Sequence, residues 1–387
     1  MAIPLAYNLR NLVVRKTTTI MTALGIGLTV AVLLAILALV NGLDTTLSVS
    51  SDPLHVLVMR KGSDSELVSV FTRTQYQDLK FKPGIASGHD GQPLASLEVV
   101  TVMILDNADG SSGSNLTVRG ISPAGIEMRH NVHLVRGRWF QAGQREVVVG
   151  QPVADRFAAA QIGRKVHFGR GDWEIVGVFD AQGGSQGSEV WGEIFQVSSD
   201  LQRPETVSSC LLNATDAVAA QALVASLNDD QRLDVKAMLE KDYYDQQTTQ
   251  AKPIQYTGLI VAVIMAVGSS FAAMNTMYAA VARRSREIGT LRVLGFSKGS
   301  ILASFLIESA LLAGIGGVLG CLLAAPLNGI TTSIGNSGFS ETAFAFRVTP
   351  SIMAVGVGFA IVMGSIGGLF PARMAARKQI LTALREG

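Results

Sequence analysis

A chain of 387 residues with 48% hydrophobic and 16% charged side chains is apolar for a soluble protein, in which about 25% charged is usual. Its apolar residues gather in four long runs, which excludes an ordinary soluble domain and points to a membrane protein. The formal net charge of +2 conceals a split between cationic and acidic segments, and no nucleic-acid partner is expected.

Residues 1–19 carry Arg10, Arg15 and Lys16 and read as a cytoplasmic helix leading into the first run. That run, IMTALGIGLTVAVLLAILALV, has no charge. At about 1.5 Å per residue it is long enough for a hydrocarbon layer of roughly 30 Å, so a first transmembrane helix is predicted at 20–42. Its apolar part is longer than the core of a signal peptide and no small-x-small cleavage site follows, so it is read as retained.

Residues 43–253 read as a folded α+β domain. Strand signals are LHVLVMR, LEVVTVMIL at 97–105, the runs 146–149 and 165–168, and WEIVGVF at 173–179. Turn signals stand at Gly143, Gly150, Gly163 and 169–172. Helices are predicted at 152–160 and 217–227. A last polar helix, about 235–250, is expected as a stalk, with Pro253 marking a kink or break before the second run. DNADGSSGSN at 106–115 reads as a solvated loop. His55, His89, His130, His133 and His167 are scattered, without the Cys or carboxylate partners of a zinc site. No catalytic set, metal site or bound cofactor is expected. Cys210 and Cys321 are not expected to pair.

The second transmembrane helix is predicted at 254–282, the third at 301–325 and the fourth at 351–372, with a short extracytoplasmic loop at 326–350 and a tail at 373–387. Gly316 and Gly320 form a GxxxG within the third, where small residues let helices approach. Glu308 is the only charged residue inside the four runs. It is read either as a carboxylate near the interface paired with an arginine, or as a buried contact that keys movement of the span.

Orientation follows from charge. The segments before the first run, between the second and third, and after the fourth hold twelve cations and two acids. The 42–253 stretch holds nineteen cations and twenty-six acids. The positive-inside rule therefore places both termini and segment 283–300 in the cytoplasm and the insert outside. A multi-pass membrane protein is expected, with anionic lipid meeting the cationic mouths of the helices.

The segment RRSREIGTLRVLGFSKGSI packs five cations with a lone Glu287 between two apolar runs. On helical geometry Ile288, Leu291 and Leu294 recur every three residues as a short apolar stripe. Gly295 suits a helix C-cap and Ser297 the N-cap of the third span. Such an element either docks into a groove on a cytosolic partner or lies in the head-group layer. GFSKGS is not a phosphate-binding loop, because Lys298 precedes Gly299 instead of following it and no strand comes before. ATP work is therefore expected from a separate protein, and the chain is not read as an enzyme.

These motifs resemble the FtsX-like permeases of ABC transporters, in particular the macrolide-exporter (MacB-like) branch. The likeness rests on R-x-REIG-x-LR-x-LG at 284–295, I-x-x-x-FLIES at 301–309, GGVLG at 316–320, GGLFPARMAAR at 367–377 and LTALREG at the end. NLRNLVVRKTTTIMTALGIGL near the start, VRGRWF at 135–140 and EVVVGQPVADRF add to it. The stretch 51–115 carries none of these motifs and leaves ligand specificity open.

The resemblance implies two permease chains, identical or different, working with cytosolic ABC ATPases that bind ATP and Mg. Nineteen residues precede the first run and seventeen follow Phe370, the last residue of the fourth apolar run, so no ATPase is expected on this chain. Arg283, Arg284, Arg286, Glu287, Ile288, Gly289, Leu291, Arg292, Leu294 and Gly295 would form the element seated on the ATPase. The family's mode, mechanotransmission, passes ATP-driven closure to the outer domain. The expected function is export or extraction of a hydrophobic or peptide substrate, with a periplasmic membrane-fusion adaptor and an outer-membrane channel as further partners. The alternative is a signalling scaffold that activates an outer enzyme such as a cell-wall hydrolase.

Overall fold

The computed structural model describes Val14 and residues 16–105, 114–335 and 341–378. Most of the 106–115 loop, most of the leading segment 1–19 and the LTALREG tail lie outside them. By packing, the chain divides into two units, one of 1–42, 251–330 and 345–387, the other of 43–250 and 331–344.

The helical unit draws on four long helices, Lys16–Val49, Glu240–Arg283, Lys298–Ala324 and Pro350–Arg377. Each holds a stretch long and apolar enough to cross a membrane. Small residues set their contacts. A Cβ at Gly316 would lie 2.8 Å from the Ile26 Cβ, and one at Gly320 would lie 2.6 Å from the Val30 Cβ. The GxxxG pair thus lets the third helix approach the first more closely than any larger residue allows. Gly364 faces Ala313, and Ser309 Oγ donates to the Gly364 carbonyl at 2.6 Å, so the third and fourth helices meet through glycine, alanine and serine. Thr29 and Ser269 join the first and second helices through their hydroxyls, 2.6 Å apart. The second helix leaves Leu259, Ile260, Ile264 and Phe271 exposed, an apolar face suited to hydrocarbon.

Pro253 lies inside the second long helix instead of breaking it. Proline forfeits one bond, to the carbonyl of Thr249 four residues back. Thr249 is exposed, so water can take that carbonyl.

The inserted unit is α+β. Its strands are β1 His55–Arg60, β2 Phe71–Thr72, β3 Ala95–Leu105, β4 Ser114–Ile121, β5 His133–Gly137, β6 Glu146–Gly150, β7 Lys165–Phe168, β8 Gly171–Asp180, β9 Glu189–Glu193, β10 Thr206–Val207, β11 Ser209–Asn213 and β12 Val235–Leu239. Ten form one mixed sheet in the order β12-β1-β11-β3-β4-β9-β6-β8-β5, with β7 also on β8. Most pairs are antiparallel; β4 with β9 and β6 with β8 are parallel.

The expected stalk helix over 235–250 is corrected at its start. Residues 235–239 pair with β1, and the helix begins only at Glu240. Val235 and Ala237 point into the core beside Val56 and Val58, so burial of alternate residues overrides a helical propensity that VKAML leaves undecided. Helix Ala217–Asp229 starts on Asp216, whose carboxylate accepts from the Val218 and Ala219 amides at 2.9 and 2.8 Å. The predicted helix at 152–160 is shorter, Gln151–Arg156 followed by a 3-10 turn at Ala158–Ala160.

The segment 326–350 is more than a loop. It holds the hairpin β13 Thr331–Gly335 and β14 Glu341–Ala345, and residues 331–344 pack with the inserted unit. The Ala343 amide donates to Ser188 Oγ at 2.8 Å.

Candidate functional site

The cationic segment 283–300 folds as a short turn helix held between two long ones. The second long helix ends at Arg283, and Arg284 has φ −104° and ψ 17°, a sparsely occupied backbone region that redirects the chain. The turn helix runs Ser285–Val293. Gly295 takes φ +90°, which a glycine reaches without steric cost. The Phe296 amide then donates to the Leu291 carbonyl at 3.1 Å and the Gly295 amide to the Arg292 carbonyl at 3.2 Å, the paired bonds of a Schellman stop. Ser297 Oγ accepts from the Ser300 amide at 3.1 Å and starts the third long helix.

The turn helix has two faces. Ser285, Ile288 and Gly289 are buried. Ile288 packs with Met277, Val281, Ile301, Phe305, Ala372 and Ala375, and Lys378 Nζ donates to Ser285 Oγ. Arg283, Arg286, Glu287, Val293, Leu294 and Gly295 are exposed, while Leu291 and Arg292 are half-buried. The stripe of Ile288, Leu291 and Leu294 is therefore corrected. At 3.6 residues per turn a spacing of three falls short by about 60° each step, so Leu294 stands about 120° round from Ile288. One end of the stripe anchors the helix and the other faces out.

Arg284 is not on the outward face. It is buried, and its Nη1 donates to both oxygens of Glu308 on the third long helix, at 2.8 and 3.2 Å. Both side chains are about 5% exposed. The guanidinium also lies 3.5 Å from the Glu287 carboxylate and 6.0 Å from the centre of the Phe305 ring. The Glu308 carboxylate is thus both paired with an arginine of the segment and buried.

A second polar centre, not visible to sequence reasoning, lies inside the inserted unit. Arg119 on β4 donates through Nε to Glu189 at 2.7 Å and through Nη1 to Glu98 at 2.5 Å and Glu66 at 3.0 Å. Arg129 Nη1 meets the other oxygen of Glu98 at 2.7 Å. All five side chains are buried. Burial pushes the Glu66 carboxyl up, but the charge and hydrogen bonds of Arg119, with the Ser209 hydroxyl, outweigh it and hold that carboxyl below its ordinary value. Burial likewise disfavours the Arg119 cation, and Glu189, Glu66 and Glu98 more than restore it.

Beside this cluster is a polar cavity of about 70 Å³ bordered by Glu66, Arg119, Glu189, Tyr243, Gln247 and Thr342. The start of the second long helix is fixed here. Glu240 lies 2.7 Å from His55 Nδ1, and Tyr243 is buried. The sequence signal was faint: Glu98, Arg119 and Glu189 are single charges inside strand-like apolar runs. Among the described residues no group of histidine, cysteine and carboxylate side chains is placed to hold a metal.

Comparison with known proteins places this architecture. The model of the MacB-like periplasmic core domain matches residues 19–230, and that of the FtsX-like permease C-terminal matches residues 259–380. The macrolide export ATP-binding/permease protein MacB of Pasteurella multocida is 25% identical over 393 residues, covering 96% of this chain and 58% of that protein. The pyoverdine export ATP-binding/permease protein PvdT of Pseudomonas fluorescens is 27% identical over 337 residues, covering 78% of this chain and 48% of that protein. The chain spans about half the length of the curated relatives it matches. The crystal structure of the periplasmic region of MacB from Actinobacillus actinomycetemcomitans aligns with a TM-score of 0.38 at 14% identity, covering 51% of this chain and 94% of that one. With a large α+β domain between the first and second of four transmembrane helices, the chain belongs to the MacB-like branch of the FtsX-like ABC transporter permeases.

Proposed function

We propose that this chain is the non-catalytic membrane subunit of an ABC exporter, and that the outward face of its turn helix seats on an ABC ATPase. The observation that carries the reading is the two-faced turn helix. Arg286, Glu287, Val293 and Leu294 stand outside, while Ile288 fixes the same nine-residue helix to the bundle. A docking element needs both an exposed mixed apolar and charged patch and a rigid base.

The positive-inside rule puts this element and both termini in the cytoplasm of a bacterial inner-membrane protein. ATP and Mg would be bound by the ABC ATPase, which we take to be a separate cytosolic chain. A second permease chain, the same or different, completes the assembly. The spans offer no charged path across the bilayer, since Glu308 is neutralised by Arg284. Movement passed to the inserted domain, with extraction or export of a hydrophobic or peptide substrate there, fits that better than passage of a polar solute through the helices. Two relatives are named for macrolide and for pyoverdine export, which supports an exporter. A membrane-fusion adaptor and an outer-membrane channel would complete the route outward.

The test is co-purification of an ABC ATPase with the tagged full chain in detergent or nanodiscs. Arg286→Glu and Leu294→Asp are expected to lower the retained ATPase at least about tenfold while the chain still inserts. Retention at the wild-type level in both variants would sink the docking role. Hydrolysis stimulated by a hydrophobic or peptide substrate separates an exporter from a scaffold that moves none.

A further inference from the structure

Arg284 occupies an unusual place. It is the single residue between the end of the second long helix and the start of the turn helix, so the chain changes direction at its backbone. A pivot is ordinarily where a structure gives. Here the pivot residue is buried, its amide donates to the Val281 carbonyl at 3.2 Å and its carbonyl accepts from the Ile288 amide at 2.9 Å. Its side chain reaches past its own turn helix to the third long helix. One Nη donates to both carboxylate oxygens of Glu308, twenty-four positions along the chain.

Burying two charges costs free energy that a close pair only partly returns, so an apolar pair of equal volume packs as well or better. What the ion pair adds is direction and specificity. A charge-assisted contact in which one nitrogen sits between both carboxylate oxygens holds a defined position of one helix against another, whereas leucine against leucine slides more freely. The three groups are also unequal. Glu287, on the turn helix, is 57% exposed and 3.5 Å from the guanidinium, while Glu308 is 6% exposed and 2.8 Å away. The hold on the third long helix is therefore the shorter and the better shielded from solvent. Ser285 is tied to Lys378 at the end of the fourth helix, but through a hydroxyl and a long flexible side chain.

We propose that the Arg284–Glu308 pair is the joint that makes the turn helix and the third long helix move as one body. A displacement at the docking face then reaches the third helix and the hairpin that follows it, instead of being absorbed at the bend. This inference rests on the docking of an ATPase to the turn helix. Arg284 and Glu308 are positioning residues in it and touch neither nucleotide nor substrate.

The experiment is amide hydrogen exchange on the full chain in nanodiscs, first alone and then with its co-purified ATPase and a non-hydrolysable ATP analogue. On the chain alone, Glu308→Gln is expected to raise exchange over 285–293 about tenfold, and the charge swap R284E/E308R to return it most of the way. With the ATPase bound, the analogue is expected to alter exchange in both the turn helix and residues 298–310 of the wild type. In Glu308→Gln the ATPase is still retained and the change stops at the turn helix, an outcome that loss of stability alone does not produce. Arg284→Lys, which keeps the charge without the planar fork, falls between the two and serves if Glu308→Gln fails to insert. The joint is refuted if Glu308→Gln leaves exchange over 285–293 unchanged, if the swap is no better than the single variants, or if the analogue's effect still reaches the third helix. If the wild-type chain retains no ATPase, the docking reading fails, and the exchange measured on the chain alone still decides whether the joint exists.

Discussion

Two of the buried ion clusters, one in each unit, are built differently. In the inserted unit, Arg119 is gripped by Glu66, Glu98 and Glu189, while Arg129 shares Glu98. The groups come from β3, β4, β9 and two connecting segments, so the cluster is determined several times over. In the helical unit Arg284 meets one buried carboxylate, Glu308, at a bend, with the exposed Glu287 at 3.5 Å. Many buried partners around one cation leave it nowhere to move, and such a cluster fixes the sheet. One buried partner across a pivot is a lighter attachment, which suits a part that must transmit displacement. Charge multiplicity separates the structural role from the mechanical one.

The largest blow to that contrast is Arg119→Met. It leaves three buried carboxylates without their central cation and is expected to cost the inserted domain about 3–5 kcal/mol or more. Trp139, Trp173 and Trp191 are the only three tryptophans and all lie in that domain, so selectively excited tryptophan emission of the full chain reports it without the tyrosines of the long helices. A wild-type melting curve for Arg119→Met would remove the cluster's structural role. Gly320→Val comes next. Its Cβ would lie 2.6 Å from the Val30 Cβ, and about 1–3 kcal/mol of overpacking is expected between the first and third helices. Tryptophan emission should stay put while the helical circular dichroism melts earlier.

Glu308→Gln keeps a hydrogen-bonding amide and leaves Glu287 beside Arg284, so about 1–3 kcal/mol is expected, again invisible to tryptophan. Equal loss in both signals would mean that the pair is not local.

A smaller effect comes with pH. Glu66 sits below its ordinary value of 4.5 because Arg119 outweighs burial. A depressed carboxyl lends stability that is complete above the ordinary value and is lost as pH falls through the lowered one. The fluorescence melting midpoint should hold from neutrality to about pH 5 and drop below 4.5. A midpoint that rose on acidification would reverse the sign. Smallest is Leu294→Ser: the side chain is 66% exposed, so stability should stay within about 0.5 kcal/mol, and any large loss would show that this face is covered.

The four long helices were legible because length and apolarity alone decide them. The cap at Gly295 and the start at Ser297 were legible because each depends on one residue's local chemistry. The division of the 283–300 segment was not. Arg283, Arg284 and Arg286 look alike in a list of cations, and which one turns inward depends on where the second helix stops and on where Glu308 comes round on the third. The apolar triple Ile288, Leu291 and Leu294 misled because a three-residue spacing drifts around a helix. In the inserted unit, LEVVTVMIL and WEIVGVF announced themselves as strands. SEVWGE at 188–193 did not, because two glutamates break its apolar alternation, and both Glu189 and Glu193 are buried. The Arg119 cluster was illegible for the same reason: a lone charge in a strand signals the wet face unless its partners are known, and Glu66 comes from outside any strand.

The hairpin at 331–344 changes what counts as the head of this protein. A fragment cut at Leu43 and Gln250 keeps every strand of the large sheet but loses Thr342 from the cavity wall and the Ala343 amide that Ser188 holds. Anyone isolating that head as a soluble reagent would be handling a vessel with a missing pane. Grafting the fourteen residues back through a short linker would restore that part of the wall and give a truer target for ligand screening.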